Sequence, residues 1–241
     1  MPLSSDQLAQ LREFDTPTVC NVIELYRLRP QTSGYMDSRI RACYPKLPPM
    51  VGYASTATFR ASTPPRGGRE YGSLDDQMRA FGDLPGPPIV VFQDLDDPVV
   101  AATFGEVMCT SYKSFGAAGL ITSGAGRDFE QVAGLDFPVF CDGFICSHGY
   151  PQIIDVHVPV HVGGAVIEPG DLLHGDANGV TTIPEEIASE VGPVCAEFVK
   201  CEDVLLEYCR AGDVTPDGFS AARKELGSLV KQLGEKVRGD A

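Results

Sequence analysis

An α/β domain followed by a helical tail is the fold class this sequence predicts, and three observations carry the prediction. Between residues 88 and 141 short apolar runs alternate with segments of helical period, the pattern of strands joined by helices with some strands parallel. From 153 to 184 valines alternate with polar residues around Gly163-Gly164, which reads as a β meander with one buried face. From 185 onward apolar residues recur near every third or fourth position, as in amphipathic helices.

Taken in order, Leu8 and Leu11, then Val19, Val22, Ile23 and Tyr26, fall at helical spacing, and Pro17 is placed to start the second of two short helices. Residues 34–88 are rich in Pro and Gly, with one alternating stretch, VGYASTATFRAS, that predicts a strand. The loop STPPRGGREYGSLDD after it is long, and long loops are functional or mobile. PPIVVFQDL, PVVAATF, AGLIT and FPVFCDG read as extended, while GEVMCTSYKSFG and RDFEQVAG read as helical. Val156, Val158, Val160 and Val162 alternate with Asp155, His157, Pro159 and His161. Ile187, Val191, Val194, Phe198, Leu205 and Tyr208 predict a helix that breaks at Gly192-Pro193. Leu226, Leu229, Val230, Leu233 and Val237 share one face of a last helix that must pack on something, a neighbouring subunit included. Residues 1–241 are read as a single domain, with 185–241 as a helical C-terminal extension.

Composition bounds the function. With 43% hydrophobic and 22% charged residues in 241, the chain is an ordinary globular one. A net charge of -14 without a Lys/Arg cluster excludes nucleic acid as a direct ligand. The N-terminus lacks a signal-peptide layout and no apolar run approaches the roughly 20 residues of a membrane span. The expectation is a cytoplasmic protein with no membrane partner. Eight scattered cysteines without a C-x-x-C pair read as buried free thiols rather than a disulfide frame or zinc site.

Two segments carry chemistry. If a helix starts near Gly105, the amides of Glu106, Val107 and Met108 lie in its first turn and lack partners, so they form an anion site. Alternatively Gly105 only permits a tight strand-to-helix turn. In GLITSGAGRDFEQVAG a strand ends in Arg127 and Asp128. A guanidinium grips a carboxylate or enolate with forked donors, and one Asp suffices for a Mg²⁺ that keeps its waters. The same pair also suits a helix N-terminal Asp beside a surface Arg. His157 and His161 lie four apart and, with His148 and His174, allow a zinc site; polar positions of a half-exposed strand are the better reading. SGAG at 123–126 is too short to be a nucleotide fingerprint.

Over roughly residues 15 to 190, FGEVMCTSYKSFGAAGLITSGAGRDFEQVAGLDFPVF and then PVHVGGAVIEPGDLLHGDANGVTTIP resemble the RraA-like family, which joins 4-hydroxy-4-methyl-2-oxoglutarate aldolases with RraA ribonuclease regulators. The resemblance implies a swivelling β/β/α fold assembled as homotrimers or homohexamers. It implies that Gly105, Glu106, Val107, Met108 and Arg127 bind the pyruvyl part of a small 2-oxo acid, with Asp128 on a divalent cation, Mg²⁺ or Mn²⁺. The implied activity is a lyase: class II retro-aldol cleavage to pyruvate, with oxaloacetate decarboxylation through the same enolate. Arg127 would steady that enolate and Glu106 would position a water for proton transfer. Asn21 and Asn178 stand where relatives often carry Asp, and CDGFICSHGYPQIIDV replaces a Ser/Thr-rich stretch. Substrate scope is what those departures touch. The competing reading is a regulator that masks a ribonuclease. The long 49–88 region and the two tail helices incline the chain towards the aldolase branch.

Overall fold

The computed structural model describes residues 2–67 and 71–240, so the middle of the predicted long loop lies outside the described residues. Seven α-helices are described: α1 (Ser5–Leu11), α2 (Thr16–Tyr26), α3 (Leu74–Ala80), α4 (Glu106–Ser114), α5 (Phe129–Ala133), α6 (Ala188–Arg210) and α7 (Pro216–Arg238). They surround a mixed eight-stranded sheet. In spatial order its path runs Arg41–Ala42, Val139–Cys141, Gly119–Thr122, Pro88–Asp94, Met50–Arg60, Leu172–Asp176 and Gly179–Ile183, while Gln152–Val156 joins the far half of the Met50–Arg60 strand. The four strands from Met50–Arg60 to Val139–Cys141 are parallel and the others pair antiparallel.

The stretch 51–62 predicts a strand, and Met50–Arg60 is one, buried along ten of its eleven residues. Its place at the centre of the sheet explains this, because core clusters cover both faces. Its polar side chains are accommodated by bonds: Thr56 Oγ1 donates to Val158 O at 2.6 Å, and Thr58 Oγ1 accepts the Asp155 amide at 3.1 Å.

Local signals account for most helix boundaries. Ser4 caps α1 through a capping box with Gln7, and Asp15 caps α2 with Pro17 in its first turn. Helix α3 was not anticipated in the Pro/Gly-rich region, although Ser73 and Asp76 form a capping box at its start. The meander is interrupted: its first strand stops at Val156, His157 adopts φ 54°, and Val160–Val162 pairs with Ala165–Ile167 across the left-handed Gly163-Gly164 turn. Of residues 98–104 only Ala102–Phe104 is a strand.

The predicted break at Gly192-Pro193 does not occur; α6 runs through Pro193. Proline removes a single helical bond here, and Val191, Val194, Cys195 and Phe198 hold that turn against the core. Helix α7 packs back on α6 and α2, with Leu233 buried and Val230 and Val237 against the same core. No helix among the described residues is long and apolar enough to cross a membrane.

Candidate functional site

A second, three-stranded parallel sheet brings the candidate residues together. Ala102–Phe104, Ala125–Gly126 and Gly143–Phe144 continue the chain beyond three strands of the main sheet, with Phe104 opposite Gly126 and Gly126 opposite Phe144. The Arg127 amide donates to Phe104 O at 3.0 Å, and the Ile145 amide donates to Gly126 O at 3.0 Å. This ladder sets Arg127 beside Gly105, so two loops 22 residues apart in sequence meet at the carboxyl ends of parallel strands. Open α/β sheets bind ligands at such edges.

There the Glu106 amide donates to Asp128 Oδ2 at 3.0 Å, and Arg127 Nε lies 3.7 Å from the same oxygen. Asp128 occupies the N-cap position of α5 in a left-handed conformation, φ 58° and ψ 45°, yet makes no side-chain bond there. Its carboxylate caps α4 instead. Left-handed backbone is uncommon outside glycine, and Asp tolerates it better than most. Gly105 has φ -156°, which any residue adopts, so a tight turn is not why it is glycine. A Cβ there would lie 2.5 Å from Asp128 Oδ2 and 3.1 Å from Arg127 Cγ; the missing side chain makes room for the pair.

The predicted site residues are thus brought together, with different exposures. Gly105 is buried, Glu106 is exposed, Val107 is 77% exposed and Met108 is half-buried against the core. Arg127 and Asp128 are 34% and 36% exposed. Asp128 already holds the Glu106 amide, whereas the Val107 and Met108 amides find no acceptor among the described residues.

Other residues of the site carry no sequence signal. Tyr44, 85 positions away, donates its hydroxyl to Phe129 O at 2.5 Å and packs its ring 5.1 Å from that of Phe129. Phe144 meets the same ring edge-on at 4.9 Å. Phe129, next to Asp128, is therefore gripped from two sides. Beneath α4, burial and then the Asp128 charge push the Cys109 thiol up to about 12, which keeps it a thiol. Lys113 on α4 donates to Leu135 O beyond α5. At the end of the Pro88–Asp94 strand, burial pushes the Asp94 carboxyl up to about 6.

Among the described residues no three His, Cys, Asp or Glu side chains gather as a ligand set. His174 is committed in the interior to Thr16 Oγ1 and Leu11 O, each at 3.0 Å, and His157 sits at a bend, so the four histidines make no zinc site. Asn178 donates to Asp176 within the turn before Gly179, and Asn21 is exposed on α2. Asp128 fits a different cation chemistry. Its Oδ1 has no hydrogen-bond partner among the described residues, and Mg²⁺ accepts one protein carboxylate with water and substrate oxygens completing the shell. Cavities of about 520 and 480 Å³, one along Leu3, Tyr53 and Asp171 and one between α2, α6 and α7, are lined by none of these site residues.

The sequence pattern of the RraA-like family, described as Aldolase/RraA, matches residues 16–182. A Halalkalibacterium halodurans protein provisionally named 4-hydroxy-4-methyl-2-oxoglutarate aldolase is 39% identical over 102 residues, covering 42% of this chain and 48% of that one. The matched segment spans about half the length of that relative. An uncharacterized protein from Pseudomonas syringae pv. tomato superposes with a TM-score of 0.72 at 20% identity, covering 93% of this chain and 95% of that one. Streptomyces coelicolor RraAS2, described as an unusual member of the RNase ES inhibitor RraA protein family, superposes with a TM-score of 0.67 at 22% identity, covering 84% and 96%. These likenesses establish the swivelling α/β fold with its mixed sheet and C-terminal helical extension.

Proposed function

The chain belongs to the RraA-like family, and from that premise we propose that it is a lyase: a class II, divalent-metal-dependent aldolase that cleaves a 4-hydroxy-2-oxo acid of the 4-hydroxy-4-methyl-2-oxoglutarate type to pyruvate. Oxaloacetate decarboxylation is proposed as a second reaction of the same site. The carrying observation is the convergence of the α4 first turn, Arg127 and Asp128 at one sheet edge.

The substrate carboxylate seats on the open Val107 and Met108 amides and on the Arg127 fork. Mg²⁺ or Mn²⁺ bound at Asp128 would supply Lewis-acid polarisation of the 2-keto oxygen. Asp128 Oδ2 holds the Glu106 amide, which leaves Oδ1 as the oxygen that would hold the cation. As the C3–C4 bond breaks, Arg127 stabilises the charge that develops on the pyruvyl oxygen. Glu106, exposed on the first turn of α4, positions the water that takes the 4-hydroxyl proton and returns one to C3. Loss of CO₂ from oxaloacetate delivers the same enolate. Exposed Val107, Phe129 and Phe144 lie around the pair, and an apolar rim of this kind supports a homo-oligomer, trimer or hexamer, closing over the site.

Pyruvate release from both substrates, with Mg²⁺ or with EDTA, tests this. The expected result is turnover that EDTA abolishes and that Arg127→Ala and Asp128→Ala each lower by about 10²–10³-fold, the usual scale for losing a charge-stabilising group. A half-exposed ion pair contributes only about 0–1 kcal/mol to folding, so Arg127→Ala should melt near the parent, whereas Asp128→Ala, which loses the cap on α4 and places Ala at φ 58°, should melt lower while remaining folded. No turnover of either compound by the folded protein would sink the assignment and leave ribonuclease regulation as the reading.

A further inference from the structure

One close contact has no part in the proposed reaction. Cys43 Sγ and Cys141 Sγ lie 3.4 Å apart with no bond between them. Their strands are antiparallel neighbours: Arg41 faces Cys141, Ala42 faces Phe140, and the Cys43 amide donates to Val139 O at 2.9 Å. Cys141 is buried and Cys43 half-buried. The segment that leads into Cys43, Arg41–Ala42, is a two-residue strand at the edge of the sheet.

The two thiols are also unequal. A hydrogen bond from Cys43, aided by backbone at Gly143 and Gly126, holds the Cys141 thiol below its ordinary value, while the same bond pushes Cys43 well above it. The lowered thiol makes Cys141 the candidate nucleophile and Cys43 the candidate resolving partner. The other buried thiols, Cys109 and Cys195, are both pushed up to about 12 by burial, and neither has a thiol within hydrogen-bond distance among the described residues.

We propose that Cys43 and Cys141 are a redox-modification site that closes into a reversible disulfide when the protein meets a hydroperoxide, and that closure lowers turnover at the Arg127–Asp128 site. The Cys141 thiolate attacks one peroxide oxygen; the O–O bond breaks, the sulfur becomes a sulfenic acid, and the departing hydroxide takes the Cys43 proton to leave as water. The Cys43 thiolate then attacks the sulfenic sulfur, the S–O bond breaks, and the second hydroxide takes from solvent the proton that Cys141 first gave up. Two thiols and one hydrogen peroxide give one disulfide and two waters, with two electrons passing from sulfur to oxygen.

The route to the site is short. Tyr44 follows Cys43 and Phe144 lies three residues beyond Cys141, and these two rings hold Phe129 beside Asp128. Bond formation draws the sulfurs to about 2.05 Å and shifts both holders. A displacement of about 1 Å near a reacting centre can cost 10²-fold in rate.

The test uses the full chain with Cys146→Ser and Cys209→Ser, which removes the two exposed thiols. After hydrogen peroxide and an alkylating quench, the expected product has lost two hydrogens, shows a Cys43–Cys141 peptide link, melts at a higher temperature and returns to the starting mass with dithiothreitol. Cys43→Ala and Cys141→Ala should each abolish the link. Oxygen gained without that link, or a link between other cysteines, overturns the proposal, and the map of the parent chain decides this even if a variant does not fold. Pyruvate release should fall at least tenfold on oxidation and recover on reduction. That second readout rests on the proposed lyase activity. An unchanged rate in an active, fully linked protein overturns the switch; if no lyase activity is found, the peptide map still decides the modification site alone.

Discussion

Gly105 does its work through an absent side chain. Its backbone is extended and open to any residue, but a methyl group would push into Asp128 Oδ2 and crowd Arg127. Asp128 Oδ2 is a side-chain end that can swing towards solvent, while the Arg127 stem must give way by a few tenths of an ångström, so Gly105→Ala should fold with a modestly lowered thermal midpoint. Displacing the carboxylate from the Glu106 amide should nonetheless lower pyruvate release by about 10²-fold. A normal rate for this variant would show that the close approach is irrelevant to turnover. At this scale the sequence is partly legible. Arg127 and Asp128 stand out because opposite charges side by side after an apolar run are chemically conspicuous. Tyr44 and Cys43 do not, since their partners lie 85 and 98 positions away and only the sheet order brings them close.

Helix α3 shows how an element removed from the chemistry can hold it in place. Gln77 is fully buried; its Nε2 donates to Ser55 O at 3.0 Å, and its Oε1 accepts the Tyr112 hydroxyl at 2.5 Å. One amide thereby ties the central strand to α4, the helix whose first turn forms the site. Gln77→Leu keeps the bulk and strands both partners, which at roughly 1–3 kcal/mol for each unsatisfied group predicts a loss of about 2–6 kcal/mol. Urea unfolding measures it, and a loss below about 0.5 kcal/mol would mean that neither partner depends on Gln77. Helix α3 hid from sequence reading because a short helix gives little periodicity and its flanks are rich in Gly, though the Ser73–Asp76 capping box was there to be read. The opposite error at Pro193 has a related cause. Local propensity opposes continuation, and the apolar face of α6, visible only once α1 and α2 are packed against it, overrides it.

Across the whole molecule, two buried groups pull acid stability in opposite directions. His174 is fully buried and neutral: its Nε2–H donates to Leu11 O, so Nδ1 accepts the Thr16 hydroxyl. Burial lowers its pKa despite the nearby Asp176 and Asp15 carboxylates. The unfolded chain takes up that proton first, so this stability is complete above the ordinary value of about 6.5 and is lost as pH falls below it. Asp94 is raised to about 6, chiefly by burial, with Asp96 adding charge repulsion and the Asp96 amide and Thr103 hydroxyl opposing the shift. The folded chain then keeps a proton that the unfolded chain has released, so stability grows as pH falls from about 6 towards an ordinary Asp value near 3.9. The two windows overlap and partly cancel. Asp94→Asn removes the second contribution alone, and its stability should therefore fall more steeply than that of the parent between about pH 6 and 4. His174→Gln should shift the slope the other way. Denaturant midpoints measured across this range decide the matter, because exposed carboxylates contribute equally to all three chains and drop out of the comparison. Parallel curves for the parent and Asp94→Asn would mean that Asp94 titrates alike in folded and unfolded chains, and that its burial at the end of the Pro88–Asp94 strand is open enough for water to solvate the charge.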